Sequence, residues 1–313
     1  MPASRKRPWC AAYHEGTMPE GDTIHRSASA MRTALAGKPM LRFDAPRLIG
    51  PTPQAGRIIE TVESHGKHLL VEWDDDLILD THMRMTGSWH LYRAGDRWRR
   101  PYTQMRAAIE VADWVAVCFN APNVETYRRA DQRRHPGMGR LGPDLCRPDT
   151  DLGTVVNLLL TCPEPATRIA EVLLDQRVMC GVGNVYRCEV LWATGVSPFA
   201  PVGSVGEHDA IRLVNTAATM LRANLHRSRR VTVPGVKGGL AVYGRNGQRC
   251  HRCGESVKCR RMGEHNRILY WCPGCQTHLD PQRTRPAPDD TPMDPHPAAQ
   301  RWLADLPWNR DAG

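Results

Sequence analysis

Four cysteines near the C-terminal end constrain this chain more than any other residues. They fall as Cys250-x2-Cys253 and Cys272-x2-Cys275, with eighteen residues between the pairs. Each pair puts two thiolates on one tight knuckle, and two knuckles can surround one tetrahedral Zn2+. The stretch between them is long enough for a β-hairpin. Four protein ligands leave no open position for a substrate, so such an ion is structural. A rubredoxin-type iron site is the alternative, since Cys253-Gly254 and Cys272-Pro273-x-Cys275 suit it too. The basic hairpin, with Lys258, Arg260, Arg261 and Arg267, favours zinc and a binding module. Most of these cations read as a solvated face. Arg267 lies near the second knuckle and can be aimed into a groove, and Cys259 is a spare thiol.

The other cysteines (Cys10, Cys118, Cys146, Cys162, Cys180, Cys188, Cys259) bring the total to an odd eleven and show no framework. That argues for a reducing compartment, the cytoplasm, and against a disulfide scaffold. A net charge of +9 and a pI near 9.2 point to a polyanionic partner, nucleic acid being the usual one. The plain alternative is a basic surface that only keeps the protein in solution. A chain of 313 residues, 41% hydrophobic, is long enough for two domains with real cores. No run of about eighteen apolar residues exists, so no membrane span is expected.

Residues 1–17 are basic and lack the apolar centre of a signal peptide. They read as an extension or a misassigned start ahead of Met18-Pro19-Glu20-Gly21. Begun at Met18 and trimmed of it, the chain would present the Pro19 nitrogen as a free secondary amine. An α-amino group titrates near 8, so a useful fraction is unprotonated at neutral pH. Its attack on an aldehyde-type carbon gives an iminium ion, which stays charged without a proton and serves as an electron sink. Glu20 beside it could move protons. If residues 1–17 remain attached, the nitrogen is an amide and this chemistry is closed.

Asp22 or Thr23 can cap a helix carrying Ile24, Ala28, Met31 and Leu35 at helical spacing. From 40 to 120 the pattern predicts short strands at 57–62, 67–73, 76–80, 106–111 and 114–119, a β-sandwich. Residues 121–150 read as irregular and basic, with a domain boundary near 148. Leu158, Ile169, Val172 and Leu173 belong to two short helices split by Pro163 and Pro165. A helix starting near Val185 and another over about 207–225, with Ile211, Val214, Leu221 and Leu225 as its stripe, follow. From 277 the Pro- and Asp-rich chain reads as a disordered tail, with Trp302, Leu303 and Trp308 unassigned.

Taken together, these pieces resemble the Fpg/Nei family of DNA glycosylases, the formamidopyrimidine-DNA glycosylase and endonuclease VIII enzymes. The marks are Pro19-Glu20-Gly21, Gly66-Lys67-His68-Leu69-Leu70, His82-Met83-Arg84-Met85-Thr86-Gly87 and Leu141-Gly142-Pro143-Asp144. Leu174-Asp175-Gln176, Gly181-Val182-Gly183-Asn184-Val185-Tyr186-Arg187, Val242-Tyr243-Gly244-Arg245 and Tyr270-Trp271-Cys272-Pro273-Gly274-Cys275-Gln276 complete the set, in family order.

The resemblance covers about 19–276. It implies an α+β fold: an N-terminal antiparallel β-sandwich with a flanking helix over 18–148, a helix–two-turn–helix domain over 149–245 and a zinc ribbon over 246–276. DNA would lie between the domains, with the damaged nucleotide flipped out of the stack. The partner it implies is DNA carrying oxidised bases or abasic sites, bound by a monomer associated with the nucleoid, with no membrane partner.

Roles carry over by position. Pro19 resembles the nucleophile at C1′. Glu20 resembles the acid that opens the sugar ring. Lys67 resembles the lysine at the scissile phosphates, where stabilising charge would be its larger contribution. Arg267 resembles the hairpin arginine that grips phosphates, and Asn184 the phosphate-binding asparagine. Arg84 and Arg128 match DNA contacts of the endonuclease VIII branch. Met85 matches the side chain that fills the gap left by the flipped base, although a lone Met in a strand otherwise suggests core packing.

The short 226–249 segment and the Leu-Leu-Asp-Gln and Tyr-Trp-Cys-Pro-Gly-Cys-Gln stretches favour oxidised pyrimidines. Val242-Tyr243-Gly244-Arg245 looks closer to the purine branch. A catalytically silent DNA-binding protein is the rival if residues 1–17 stay attached. A zinc-ribbon transcription factor would explain only 246–276.

Overall fold

The computed structural model describes residues 19–264 and 266–282. The expected extension with Met18, and the chain beyond 282 with Trp302, Leu303 and Trp308, lie outside the described residues. The described chain forms two compact units. The first holds Pro19 and residues 23–135, and the second holds residues 20–22 and 136–282. The division thus falls ahead of the boundary expected near 148. It also assigns three residues from the start of the chain to the second unit.

In the first unit, helix α1 (Gly21–Leu35, whose first two residues count with the second unit) is followed by eight strands. These are β1 (Arg42–Asp44), β2 (Ile59–His65), β3 (His68–Trp73), β4 (Leu77–His82), β5 (Ser88–Arg93), β6 (Met105–Glu110), β7 (Trp114–Phe119) and β8 (Asn123–Arg128). They make two four-stranded antiparallel sheets, ordered β1-β6-β7-β5 and β2-β3-β4-β8. One apolar core fills the space between them. Ile59, Val71, Leu79 and Val124 of one sheet meet Trp89, Ile109 and Ala116 of the other, and α1 adds Ile24, Ala28, Met31 and Leu35. The Trp89 indole N–H donates to Thr81 Oγ1 at 2.9 Å across this core.

The sandwich is the expected one, but three of its strands are unpredicted. β1 is too short to show a pattern. β5 buries Trp89 inward and Tyr92 outward, so both faces carry apolar residues and the alternation disappears. β8 lies in the stretch read as irregular. Its Val124 is buried in the core, and it pairs along the whole of β4.

The second unit contains α2 (Leu152–Leu160), α3 (Ile169–Val172), α4 (Asn184–Thr194), α5 (Glu207–Ala223) and the hairpin β9 (Lys258–Met262) and β10 (Arg267–Trp271). α4 is buried along its whole length, so it forms the axis of this unit. α5 buries Ala210, Leu213, Val214, Ala217 and Leu221. Ile211, expected on that stripe, is 40% exposed: the buried face is built on alanines one position away.

Residues 277–282, expected in the tail, are held on this unit. The Ser197 N–H donates to the His278 carbonyl at 2.8 Å, and the His278 ring lies 2.8 Å from Asp209. Among the described residues no helix is long and apolar enough to cross a membrane.

Candidate active site

The start of the chain explains its own sequence. Gly21 N–H donates to the Gly181 carbonyl at 2.9 Å. A Cβ at Gly21 would stand 2.6 Å from Gly181 Cα and 2.7 Å from Cys146 Sγ, so only glycine allows this approach. Glu20, 1% exposed, is thereby set against the N-terminus of α4. Its carboxylate accepts from the N–H groups of Val185 (2.7 Å), Gly183 (3.1 Å) and Tyr186 (3.3 Å). These are orphan donors of a helix start, and they hold both carboxylate oxygens in place.

Asp22, a capping candidate, sits inside the first turn of α1 and does different work. Its carboxylate takes a two-pronged contact from buried Arg230, Nη2 to Oδ1 at 2.5 Å and Nε to Oδ2 at 3.0 Å. Arg230 Nη1 also lies 4.0 Å from Glu20 Oε1, and its guanidinium rests over the Tyr186 ring. Burial opposes the Arg230 charge, but Asp22 and then Glu20 more than offset it, so its pKa stands well above that of an ordinary arginine. Sequence reasoning missed this arginine because its partner is 208 residues away.

Further along α4, Asn184 is buried and both ends of its amide are occupied. Nδ2 donates to the Ile268 carbonyl at 2.8 Å, and Oδ1 accepts from Arg187. The amide therefore ties α4 to the strand that begins with Arg267. Tyr243 packs edge-on to Tyr270 of the same strand. The carboxylate of buried Glu189 gathers the N–H groups of Ala241 (2.7 Å), Val242 (2.9 Å) and Tyr243 (2.9 Å), together with the Thr232 hydroxyl. Glu189 also went unnoticed in sequence. Its one signal is a lone acid in an otherwise apolar stretch of helix.

Gln176 braces the loop before α4. Its side chain donates to the Leu174 and Val182 carbonyls and accepts from Gly181 N–H, while its own carbonyl accepts from Gly142 N–H. The second unit therefore brings together Glu20, Asn184, the strand of Arg267 and the loops that fix them.

The four knuckle sulfurs all lie within 4.8 Å of one another. Cys250–Cys275 and Cys253–Cys272 are 3.7 and 3.4 Å apart. A tetrahedral ion with bonds of about 2.3 Å separates its sulfurs by about 3.8 Å, so the cluster fits a metal ion. The donors around it also suit thiolates: the Trp192 indole N–H and the Arg252 amide both point at Cys250 Sγ, at 3.3 and 3.5 Å. Gln276 closes the knuckle by accepting from Cys272 N–H at 2.8 Å.

The remaining candidates belong to the first unit. Pro19 directly precedes Glu20 and is buried. Lys67 sits on the β2–β3 turn, after Gly66 at φ 56°. The next residue, His68, is fixed by its ring nitrogen 2.9 Å from Asp80. Arg84 and Met85 lie on the turn after β4, which closes through Gly87 N–H to the Met83 carbonyl. Met85 is 66% exposed, so it is not the core residue that a lone Met suggests, and Arg84 is held at φ 44°. Arg128 is tied to Asp75, through the backbone carbonyl and through the carboxylate at 3.2 Å.

The chain is similar to known proteins over most of its length. Residues 18–137 match the formamidopyrimidine-DNA glycosylase N-terminal domain, and residues 141–233 the formamidopyrimidine-DNA glycosylase H2TH domain. A probable endonuclease 8 2 of Streptomyces coelicolor is 39% identical over 85% of this chain and 96% of its own. The DNA-(apurinic or apyrimidinic site) lyase Nei2 of Mycolicibacterium smegmatis is 38% identical over 83% and 99%. Endonuclease 8 of Escherichia coli is 30% identical over 83% and 100%. Among solved structures, Lactococcus lactis formamidopyrimidine-DNA glycosylase bound to DNA containing an abasic site has the same fold. It gives a TM-score of 0.71 at 21% identity, covering 83% of this chain and 100% of that one.

Proposed function

The chain belongs to the formamidopyrimidine-DNA glycosylase and endonuclease VIII family, and we propose that it is a bifunctional DNA glycosylase and DNA-(apurinic or apyrimidinic site) lyase of base excision repair. The observation that carries this reading is the Glu20 carboxylate, directly after Pro19, held by the amides of Gly183, Val185 and Tyr186 at the N-terminus of α4. An amine nucleophile needs a proton carrier fixed beside it, and here both are consecutive residues.

In this mechanism the Pro19 amine, freed at Met18, attacks C1′ of the damaged nucleoside. Glu20 passes a proton to the ring oxygen and the base departs, leaving an iminium ion. Loss of a C2′ proton then expels the 3′ phosphate, and a second elimination releases the 5′ side. Lys67 and Arg267 stabilise phosphate charge. Asn184 holds a backbone phosphate, for which it must release the Ile268 carbonyl. Met85, exposed on its turn, fills the gap left by the everted base, and Arg84 and Arg128 contact the DNA backbone. Zn2+ on Cys250, Cys253, Cys272 and Cys275 would fix the hairpin that carries Arg267.

Oxidised pyrimidines are the preferred lesions in this reading. The short 226–249 segment and the relatives named endonuclease 8 support that branch. Val242-Tyr243-Gly244-Arg245 favours a second reading, oxidised purines.

The test is borohydride trapping on abasic DNA, with two forms of the protein, one beginning at Pro19 and one retaining residues 1–18. The first should give a covalent adduct mapping to the Pro19 peptide, and the second none. An adduct on a lysine in either form overturns the assignment. Equal DNA binding without any adduct in either form would leave a silent DNA-binding protein.

A further inference from the structure

The sheet β1-β6-β7-β5 has a second apolar face, turned away from the core that holds α1. Tyr92, Met105, Ala108, Val117 and Phe119 form a separate cluster there, with Trp98 packed on it. The segment between β5 and β6 crosses this face and borders an open cavity of about 720 Å³. Trp98 stacks against Tyr92 (6.4 Å, 27°) and Tyr102 (5.9 Å, 11°) and meets Phe119 edge-on at 6.0 Å. The column ends at Tyr102, which is 58% exposed and fixed by its hydroxyl on Asp44 at 2.6 Å. A flat aromatic platform is thus held open to solvent.

Arg97, Arg99 and Arg100 line the same cavity, and among the described residues none has an ion-pair partner. Three acids share this lining with Arg42 and the three arginines: Asp44 and Asp96, which are engaged, and Glu110. Asp44 takes the Tyr102 hydroxyl and lies 3.9 Å from Arg42, and Asp96 accepts from Arg93 N–H. The local field is positive: burial and then Arg100 and Arg99 hold the His90 imidazole down to about 4. The mechanism above uses none of these residues.

We propose that this cavity is a second nucleic-acid site, which takes a single-stranded segment with an unpaired base stacked on the Tyr102–Trp98 column and its phosphates on Arg97, Arg99 and Arg100. Aromatic platforms flanked by guanidinium groups bind single strands by stacking on the exposed faces of unpaired bases while the cations hold the phosphates. A base inside a duplex has both faces covered and cannot enter. An acidic peptide would use the arginines and leave the rings idle. The site would favour substrates that carry an unpaired stretch.

The test uses the full chain and an undamaged oligothymidylate 12-mer bearing 5-iododeoxyuridine, irradiated and mapped by mass spectrometry. Crosslinks are expected at Trp98 or Tyr102. A variant with Arg97→Ala, Arg99→Ala and Arg100→Ala, all surface changes, should bind the 12-mer at least tenfold more weakly while cleaving an abasic duplex within twofold of the parent. Crosslinks confined to other residues in the parent overturn the proposal whatever the variant does, as does unchanged 12-mer binding by the variant. Thymidine monophosphate protecting the site as well as the 12-mer does would reassign it to free nucleotides, and hexaglutamate doing so would reassign it to acidic peptides. Either result overturns the strand reading.

Discussion

Gly183 leaves the space that the Glu20 carboxylate fills. A Cβ there would lie 2.3 Å from Glu20 Cδ and 2.5 Å from Cγ. Gly183→Ala should therefore displace the carboxylate while leaving most of the fold intact, lowering base excision about 100-fold, the scale of a misplaced proton carrier. Single-turnover kinetics on a lesion duplex, with circular dichroism as the folding control, would check it. Arg230 tests a different dependence. Arg230→Met strands the Asp22 carboxylate in the interior, which should cost about 3–5 kcal/mol in urea denaturation. Pairing it with Asp22→Asn should recover part of that loss, because the stranded charge is gone. The catalytic candidates were legible in sequence because they fall in short motifs. Their supports, Arg230 and Glu189, were not, since each acts on residues distant in sequence.

At the scale of elements, β5 carries a pH dependence. An exposed imidazole titrates near 6.5, and His90 on β5 is held to about 4, first by burial. Between these values the unfolded chain binds the extra proton. The stabilisation from neutral His90 is therefore complete above pH 6.5 and is lost as pH falls toward 4. Partial exposure screens the effect to the order of 1 kcal/mol. His90→Gln should flatten that part of the stability–pH curve, measured by denaturation at pH 7 and pH 5.

The hairpin β9–β10 depends on its knuckles in another way. Chelation should remove its anchor and weaken DNA binding at least tenfold. It should also change the fluorescence of Trp192, whose N–H meets Cys250 Sγ. A chelated protein that binds normally would separate the metal from the hairpin's work. Of these elements the hairpin was readable from cysteine spacing alone. β5 and β8 were hidden, the one because both its faces are apolar, the other because its register comes from β4.

At the scale of the whole molecule, the order of parts was legible because each part has its own local signature. The division between the units was not, because it depends on where three residues pack. Protein made from its native gene should have an intact mass beginning at Pro19; a mass retaining residues 1–17 would put the amine out of reach. The same three residues bear on how such a protein can be taken apart. Glu20, Gly21 and Asp22 fall between Pro19 and residue 23 of the first unit, yet they complete the second unit. A gene cut after residue 135 would yield a downstream fragment with a buried, unmatched Arg230 and an uncapped α4. The halves cannot be shuffled between genes as freestanding modules: whatever exchanges the second must carry the opening codons of the first with it.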